Sequence, residues 1–366
     1  MPNPDTLHAA DLSQLTGFDA VIDVRSPAEF AEDHVPGAVN LPVLSDAERA
    51  IVGTIYVQDS AFRARKIGAA LVAKNVAHHL DTALADRPST FRPLIYCWRG
   101  GQRSNAMATI LAQIGWRTLV LEGGYRTYRR MVQRRLYDEP LGLELILLDG
   151  DTGTGKTDVL GALSLRGVQS IDLEGLAEHR GSLFGGRPGQ AQPSQKMFES
   201  RLLSALQRLD PQRPVVVEAE SHKIGDRMIP PVLWGPMGQA PRIVLRASRA
   251  ERATYLAGAY ADIAADLPSL KALIARLPVH ISKAAIEHLG ALADAGDLIA
   301  LADALMELHY DPAYARSTRK DERRIIGTVD VSKLDTAGVE AAARSVAECV
   351  EARLSGFYTA ESSDKK

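Results

Sequence analysis

The apolar run Leu143–Leu148 leads directly into Gly150-Asp151-Thr152-Gly153-Thr154-Gly155-Lys156-Thr157, and a helical stretch, Lys156–Leu165, begins inside that loop. A Gly-x4-Gly-Lys-Thr spacing between a strand and a helix is the signature of a phosphate-binding loop, or P-loop. It commits this part of the chain to a strand that carries the loop at its carboxyl end and to a helix folded back on a parallel sheet. Backbone amides at the helix N-terminus cradle phosphate oxygens, Lys156 neutralises them, and the Thr157 hydroxyl can reach Mg2+. Gly150, Gly153 and Gly155 let the backbone close around an anion. No adenine-specific element accompanies the loop, so a diphosphate other than ATP suits it as well.

The strands that would complete this sheet are Val168–Asp172, Pro214–Glu218, Arg242–Arg246 and Ile325–Val331. Between the last two, Ala250 to about Leu308 is rich in Ala and Leu at helical spacing and reads as a helical insertion. A helix over Val339–Leu354 closes the unit. The run Val215-Val216-Val217-Glu218-Ala219-Glu220 resembles the acidic strand that accompanies phosphate loops, with glutamate where aspartate is usual. Glu218 and Glu220 alternate onto one face of a strand. They are candidates for a metal or substrate group, against the alternative of a solvated strand end.

The N-terminal part reads as a second α/β unit. Strands are expected at Phe18–Val24, Val39–Val43, Leu94–Tyr96 and Thr118–Leu121, with a helix at Pro27–Glu32. Leu94–Tyr96 runs into Cys97-Trp98-Arg99-Gly100-Gly101-Gln102-Arg103-Ser104. Ser104 reads as the cap of a helix carrying Ala106, Ile110, Leu111 and Ile114, which Gly115 ends. A sulfur at a helix N-terminus faces backbone N–H groups that favour the thiolate. Arg99 and Arg103 add positive charge, so Cys97 is a candidate nucleophile. Cys349, among Val346, Ala347 and Val350 on an apolar helix, reads as packing.

The length of 366 residues suits two domains. Lys and Arg number 43 against 45 Asp and Glu, so no global field recruits nucleic acid and any RNA must be held by local patches. Two such patches stand out. Arg126, Arg130 and Arg134 share a helix face, with Arg129 alongside, and Arg316, Arg319, Lys320, Arg323 and Arg324 follow Tyr310 and Tyr314. Arginines bind RNA phosphates and tyrosines stack on unpaired bases, but a solvated face with intramolecular partners is an equal reading. The two cysteines make no disulfide framework or metal-ligand spacing. No apolar stretch approaches the roughly 20 residues of a membrane span, and the N-terminus lacks the pattern of a signal peptide. A cytoplasmic protein with reduced thiols, in no contact with a membrane, is the expectation.

Asp23-Val24-Arg25, His34-Val35-Pro36-Gly37-Ala38-Val39-Asn40 and the Cys97 loop stand in the order of a rhodanese domain, which the chain resembles from about Thr6 to Arg130. That resemblance implies a cysteine carrying a persulfide, or by analogy a perselenide. Cys97-x5-Arg103 also fits the signature of cysteine phosphatases, some of which share the rhodanese fold; a phosphatase would need a general acid that the sequence does not locate.

A rhodanese domain ahead of a P-loop domain resembles the tRNA 2-selenouridine synthase family. Asp172-Leu173-Glu174-Gly175-Leu176-Ala177, His179-Arg180-Gly181-Ser182, Glu218-Ala219-Glu220-Ser221 and Lys223-Ile224-Gly225 extend the likeness from about Ala9 to Leu354. The resemblance implies a transferase acting on the wobble uridine of tRNA. Such an enzyme replaces the sulfur of 2-thiouridine with selenium from selenophosphate, through an S-geranyl intermediate made from geranyl diphosphate. No tightly bound cofactor is expected beyond Mg2+ at the loop. The alternative is a thiosulfate sulfurtransferase or cysteine phosphatase fused to a small-molecule kinase. The expected organisation is a rhodanese-like domain over 1–124, an arginine-rich linker helix over 125–140, a P-loop α/β domain over 141–358 with its insertion at about 250–308, and a disordered tail over 359–366. Oligomeric state is not legible.

Overall fold

The computed structural model describes residues 4–9, 12–279, 281–318 and 321–363. The chain divides into two compact units: one runs to Glu139 and includes Lys196–Ser204, and the other comprises Pro140–Gln195 and the chain from Ala205 onward.

The first unit is built on five strands: β1 (Asp5–Leu7), β2 (Ala20–Asp23), β3 (Val39–Asn40), β4 (Pro93–Tyr96) and β5 (Leu119–Leu121). They form a parallel sheet in the order β1-β5-β4-β2-β3. Every residue of β4 is buried, as a strand covered on both faces requires. Asp23 pairs with Tyr96 in the register, so Cys97 leaves the carboxyl edge of the sheet in its interior, where open α/β sheets place their sites. Two helices, Asp46–Gln58 and Ala61–Asp81, fill the span between β3 and β4, the first opened by the capping box of Ser45 and Glu48. Ser45 and Ser60 cap them, and Val72 and Val76 join the core of Ile22, Val24 and Ile95.

The arginine-rich segment groups with this first unit. It forms a helix, Tyr125–Gln133, followed by a π-helical turn, Arg134–Asp138. Tyr125, Tyr128, Met131, Val132 and Leu136 are buried, so the segment is a packed amphipathic element rather than a free connector. Its apolar positions recur every three to four residues among the arginines that drew attention to it.

The second unit holds β6 (Leu145–Asp149), β7 (Ser170–Ile171), β8 (Val215–Glu218), a short hairpin of β9 (Lys223–Ile224) and β10 (Arg227–Met228), then β11 (Arg242–Ala247) and β12 (Ile325–Val331). The main sheet is parallel with the order β12-β11-β6-β8-β7. Leu148 lies opposite Glu218 and Ile171 opposite Val217. The ends of β6, β8 and β7 therefore deliver the phosphate loop, Glu218 and the Asp172–Glu174 segment to one edge. Ile146, Leu148, Val216, Ile243 and Leu245 form the core beneath it.

The helical insertion is present and longer than its composition suggests, running from Arg249 to Thr318 as a series of short helices. It has a core of its own, in which Ile263, Leu270, Ile274, Leu289, Leu301 and Leu305 meet. The closing helix spans Thr336–Ser363. Residues 364–366 lie outside the described residues. Among the described residues, no helix is long and apolar enough to cross a membrane.

Candidate active sites

In the first unit the helix Gln102–Ile114 begins one residue after its cap, Gly101, so Ser104 lies within the first turn rather than at the cap. Its hydroxyl lies within hydrogen-bond distance of both the Gly101 carbonyl, at 3.1 Å, and Cys97 Sγ, at 3.2 Å, and can turn its single proton from the carbonyl to the sulfur when the thiolate forms. The Gly101 amide donates to the same sulfur at 3.3 Å. Burial of Cys97 opposes ionisation, yet Ser104 and the amides of Arg99, Ser104 and Gly101 outweigh it and hold the thiol below its ordinary range. Sequence position alone points instead to the side chains of Arg99 and Arg103. Arg99 is exposed, and Arg103 donates to Glu29 Oε2 at 2.8 Å, in a carboxylate pair that engages its charge. The loop is tight because Gly100 and Gly124 approach closely: a Cβ on Gly124 would fall 2.2 Å from the Cys97 carbonyl oxygen, and both glycines have positive φ.

Behind the loop lies a buried polar lattice that sequence reasoning missed. Arg25 forks onto Asp23, the two side chains being 1% and 0% exposed, and stacks 4.0 Å from the Tyr125 ring centroid. Tyr125 donates to Asp33 Oδ2, Ser200 donates to Asp33 Oδ1, and Trp98 stacks on Tyr125. Arg129 pairs with Glu199 within this unit, and Tyr137 donates to the same carboxylate. Arg129 is thus a structural residue rather than a surface cation. Arg126, Arg130 and Arg134 are exposed as their helix face predicts, with Arg134 also paired to Glu139.

In the second unit, Gly150, Gly153 and Gly155 all have positive φ, so the loop adopts a backbone that other residues would strain. Lys156 Nζ donates to the Gly150 carbonyl at 2.8 Å, curling over the loop. Asp149 accepts from the Gly150 amide, from Arg242 and from the Tyr314 hydroxyl, fixing the strand end. Arg252, forked onto Asp311, donates to the Thr152 carbonyl and ties the helical insertion to the loop.

Facing the loop, carboxylate oxygens of Glu174, Glu218 and Glu220 lie within 4.8 Å of one another. The pairing of Glu218 with Glu220 follows from their spacing, although Glu220 lies just past the strand end. Glu174 was missed; its signal was Asp172-Leu173-Glu174 at the end of β7, in register with β8. Thr157 donates to Glu174 Oε2 at 3.3 Å. Burial, then the charge of Glu220, pushes Glu174 up to about 8. Burial, then Glu174 and Asp172, raises Glu218 well above the carboxylate range, and burial also raises Glu220. As carboxylates, the two buried oxygens of Glu218 have no donor. Three converging carboxylates with an adjacent hydroxyl are the hard oxygen donors that Mg2+ takes.

The phosphate loop, Glu174, Glu220, Arg180 and Tyr260 line a cleft of about 440 Å3, while Glu218 is buried and outside its lining. The second basic patch does not gather here as a free surface. Arg323 forks onto Asp321 and donates to the Met237 carbonyl, so it braces the fold. Arg316 is exposed near the end of the insertion, and Arg319 lies outside the described residues.

A sheet that seats a cysteine on backbone amides, followed by one that presents a phosphate loop to a carboxylate cluster, defines a rhodanese-like domain joined to a P-loop domain. The rhodanese-like domain family matches residues 8–131, and the tRNA 2-selenouridine synthase AAA domain matches residues 143–269. A tRNA 2-selenouridine synthase of Cupriavidus necator is 34% identical over 360 residues, covering 88% of this chain and 94% of that protein. Proteins of the same description from Nitrosomonas europaea and Cupriavidus pinatubonensis are 38% and 39% identical, each over 63% of this chain. Those matches span 60% and 63% of the relatives' own length. The chain belongs to the tRNA 2-selenouridine synthase family.

Proposed function

We propose that this protein converts 2-thiouridine at the tRNA wobble position to 2-selenouridine, in two stages served by its two sites. The observation that carries the reading is the pairing, on one chain, of an amide-seated thiolate with a phosphate loop backed by three glutamates. The names of the relatives support the tRNA product.

In the first stage, the thiocarbonyl sulfur attacks C1 of geranyl diphosphate. The S–C1 bond forms, the C1–O bond breaks, diphosphate leaves with the electron pair, and the base gives up its N3 proton. Lys156 and the loop amides stabilise the charge that gathers on the departing diphosphate. Mg2+ on Thr157 and the glutamates would add positive charge there and relieve the repulsion that raises the carboxylates. In the second stage, selenium from selenophosphate bonds to C2 and the C2–S bond breaks. Geranyl thiol leaves with a proton, N3 regains its proton, and water takes the phosphoryl group as phosphate. Cys97 handles the selenium in this displacement. Its site suits an anionic chalcogen, because amide and hydroxyl dipoles favour negative charge at the sulfur. The exposed Arg126 and Arg130 are the proposed phosphate contacts for tRNA.

Incubation with 2-thiouridine tRNA, geranyl diphosphate, selenophosphate and Mg2+, followed by mass spectrometry of the nucleosides, tests the reading. S-geranyl-2-thiouridine without selenophosphate, and 2-selenouridine with it, are expected. ATP consumption with unchanged tRNA would favour the kinase fusion instead.

A further inference from the structure

The phosphate cleft does not end at polar groups. A second, smaller cavity of about 70 Å3 lies within the helical insertion, lined by Phe184, Leu256, Ile263, Leu301 and Leu305. Thr152, Leu256, Tyr260 and Tyr310 line both spaces, so the apolar cavity adjoins the phosphate loop at a neck. The Tyr260 hydroxyl at the neck is engaged. Tyr260 and Ser182 share a hydroxyl contact of 3.2 Å, and Arg180 stands over the Tyr260 ring. The phenol rings and Leu256 remain to line the passage.

An anion cradle adjoining a hydrocarbon-lined hole is complementary along its whole length to a phosphate ester with an apolar tail, whereas inorganic phosphate leaves the hole unused. We infer that this cavity is the subsite for the hydrocarbon tail of the diphosphate substrate, with Tyr260 and Tyr310 flanking the carbon that carries the diphosphate. The inference rests on the prenyl diphosphate reading above and assigns that substrate's tail to named residues. Both residues bring aromatic rings to the neck. Positive charge gathers on an allylic carbon as its C–O bond lengthens, and an aromatic face attracts positive charge. The insertion would thus set tail length, its inner wall being the helices Leu267–Ile274 and Leu298–Leu305.

Calorimetric titration of the full chain with Mg2+, using geranyl diphosphate, farnesyl diphosphate and inorganic pyrophosphate as separate probes, tests this. Wild-type protein should bind geranyl diphosphate about tenfold or more tighter than pyrophosphate, since only the former buries apolar area. Ala302→Phe, at a cavity-lining position, should remove that advantage and leave pyrophosphate affinity within about twofold. If this variant loses its native melting transition, Leu298→Ala decides, because it enlarges the cavity and should shift preference toward farnesyl diphosphate several-fold. A geranyl advantage retained in Ala302→Phe, or an unchanged preference in Leu298→Ala, would place the tail elsewhere while sparing the prenyl diphosphate reading. No advantage in wild type, together with no S-geranyl nucleoside, would overturn both.

Discussion

The hydroxyl of Ser104 stands 3.2 Å from the sulfur of Cys97, seven residues and one helical turn away, and it is the strongest influence favouring the thiolate. Burial works against ionisation at this cysteine, so the local donors decide its state. Ser104→Ala should move the pH midpoint of Cys97 alkylation by iodoacetamide upward by about one to two units, since a hydrogen bond to a charged group contributes about 1.5–3 kcal/mol. Cys349, whose thiol burial pushes up, reacts at higher pH and serves as an internal reference. An unmoved Cys97 midpoint would mean that the amides alone hold the thiolate.

The glutamate cluster predicts an inverted pH response. A carboxyl with a folded-state pKa above its unfolded value keeps a proton that the unfolded chain has released. Its contribution to stability is full below the unfolded value near 4.5 and is lost as pH rises through about 8 for Glu174. Without divalent cations, melting temperature should therefore fall over that window. Glu218→Gln should flatten the fall, and Mg2+ should stabilise the protein more at pH 8 than at pH 5. Equal Mg2+ effects at both pH values would speak against a cation at these residues.

Arg129 and Arg130 are neighbours in sequence with opposite fates. Arg129→Ala would remove the buried cation paired with Glu199, which is 2% exposed, and should cost about 3–5 kcal/mol in chemical denaturation. Arg130→Ala should leave stability within about 0.5 kcal/mol. It should weaken tRNA binding and reduce its salt dependence by about one ion. Equal tRNA affinity for wild type and Arg130→Ala at low salt would remove this face from the interface.

At Gly153, φ is +86° and an added Cβ would lie 2.9 Å from Leu256 Cδ1. Gly153→Ala should cost about 1–3 kcal/mol and weaken pyrophosphate binding by titration. Gly161→Ala, in open space on the following helix, should instead stabilise by up to about 1 kcal/mol. Similar pyrophosphate affinity in both variants would contradict the strained-loop account.

Much of this architecture was legible because its signals are local. A strand running into Gly150–Thr157, or into Cys97, announces both the turn and the edge of the sheet that carries it. The helix Asp46–Gln58 is marked only by its Ser45-x-x-Glu48 capping box, a short and common pattern, and Ala61–Asp81 only by the single capping serine Ser60. What escaped notice at the sites was non-local. Glu174 meets Glu218 through sheet register, and the charges of Arg103, Arg129 and Arg323 are engaged by Glu29, Glu199 and Asp321. Charge spacing along a helix marks a face, but only the packed neighbours determine whether a charge remains available.

The division of labour between the two sites is tested most directly by nucleoside mass spectrometry on Lys156→Ala and Cys97→Ser, given 2-thiouridine tRNA, geranyl diphosphate and Mg2+, with and without selenophosphate. Lys156→Ala should form S-geranyl-2-thiouridine about 100-fold or more slowly than wild type, because it lacks the cation beside the leaving diphosphate. Cys97→Ser should geranylate the tRNA and yield no 2-selenouridine. Wild-type geranylation by Lys156→Ala, or full selenation by Cys97→Ser, would contradict the account.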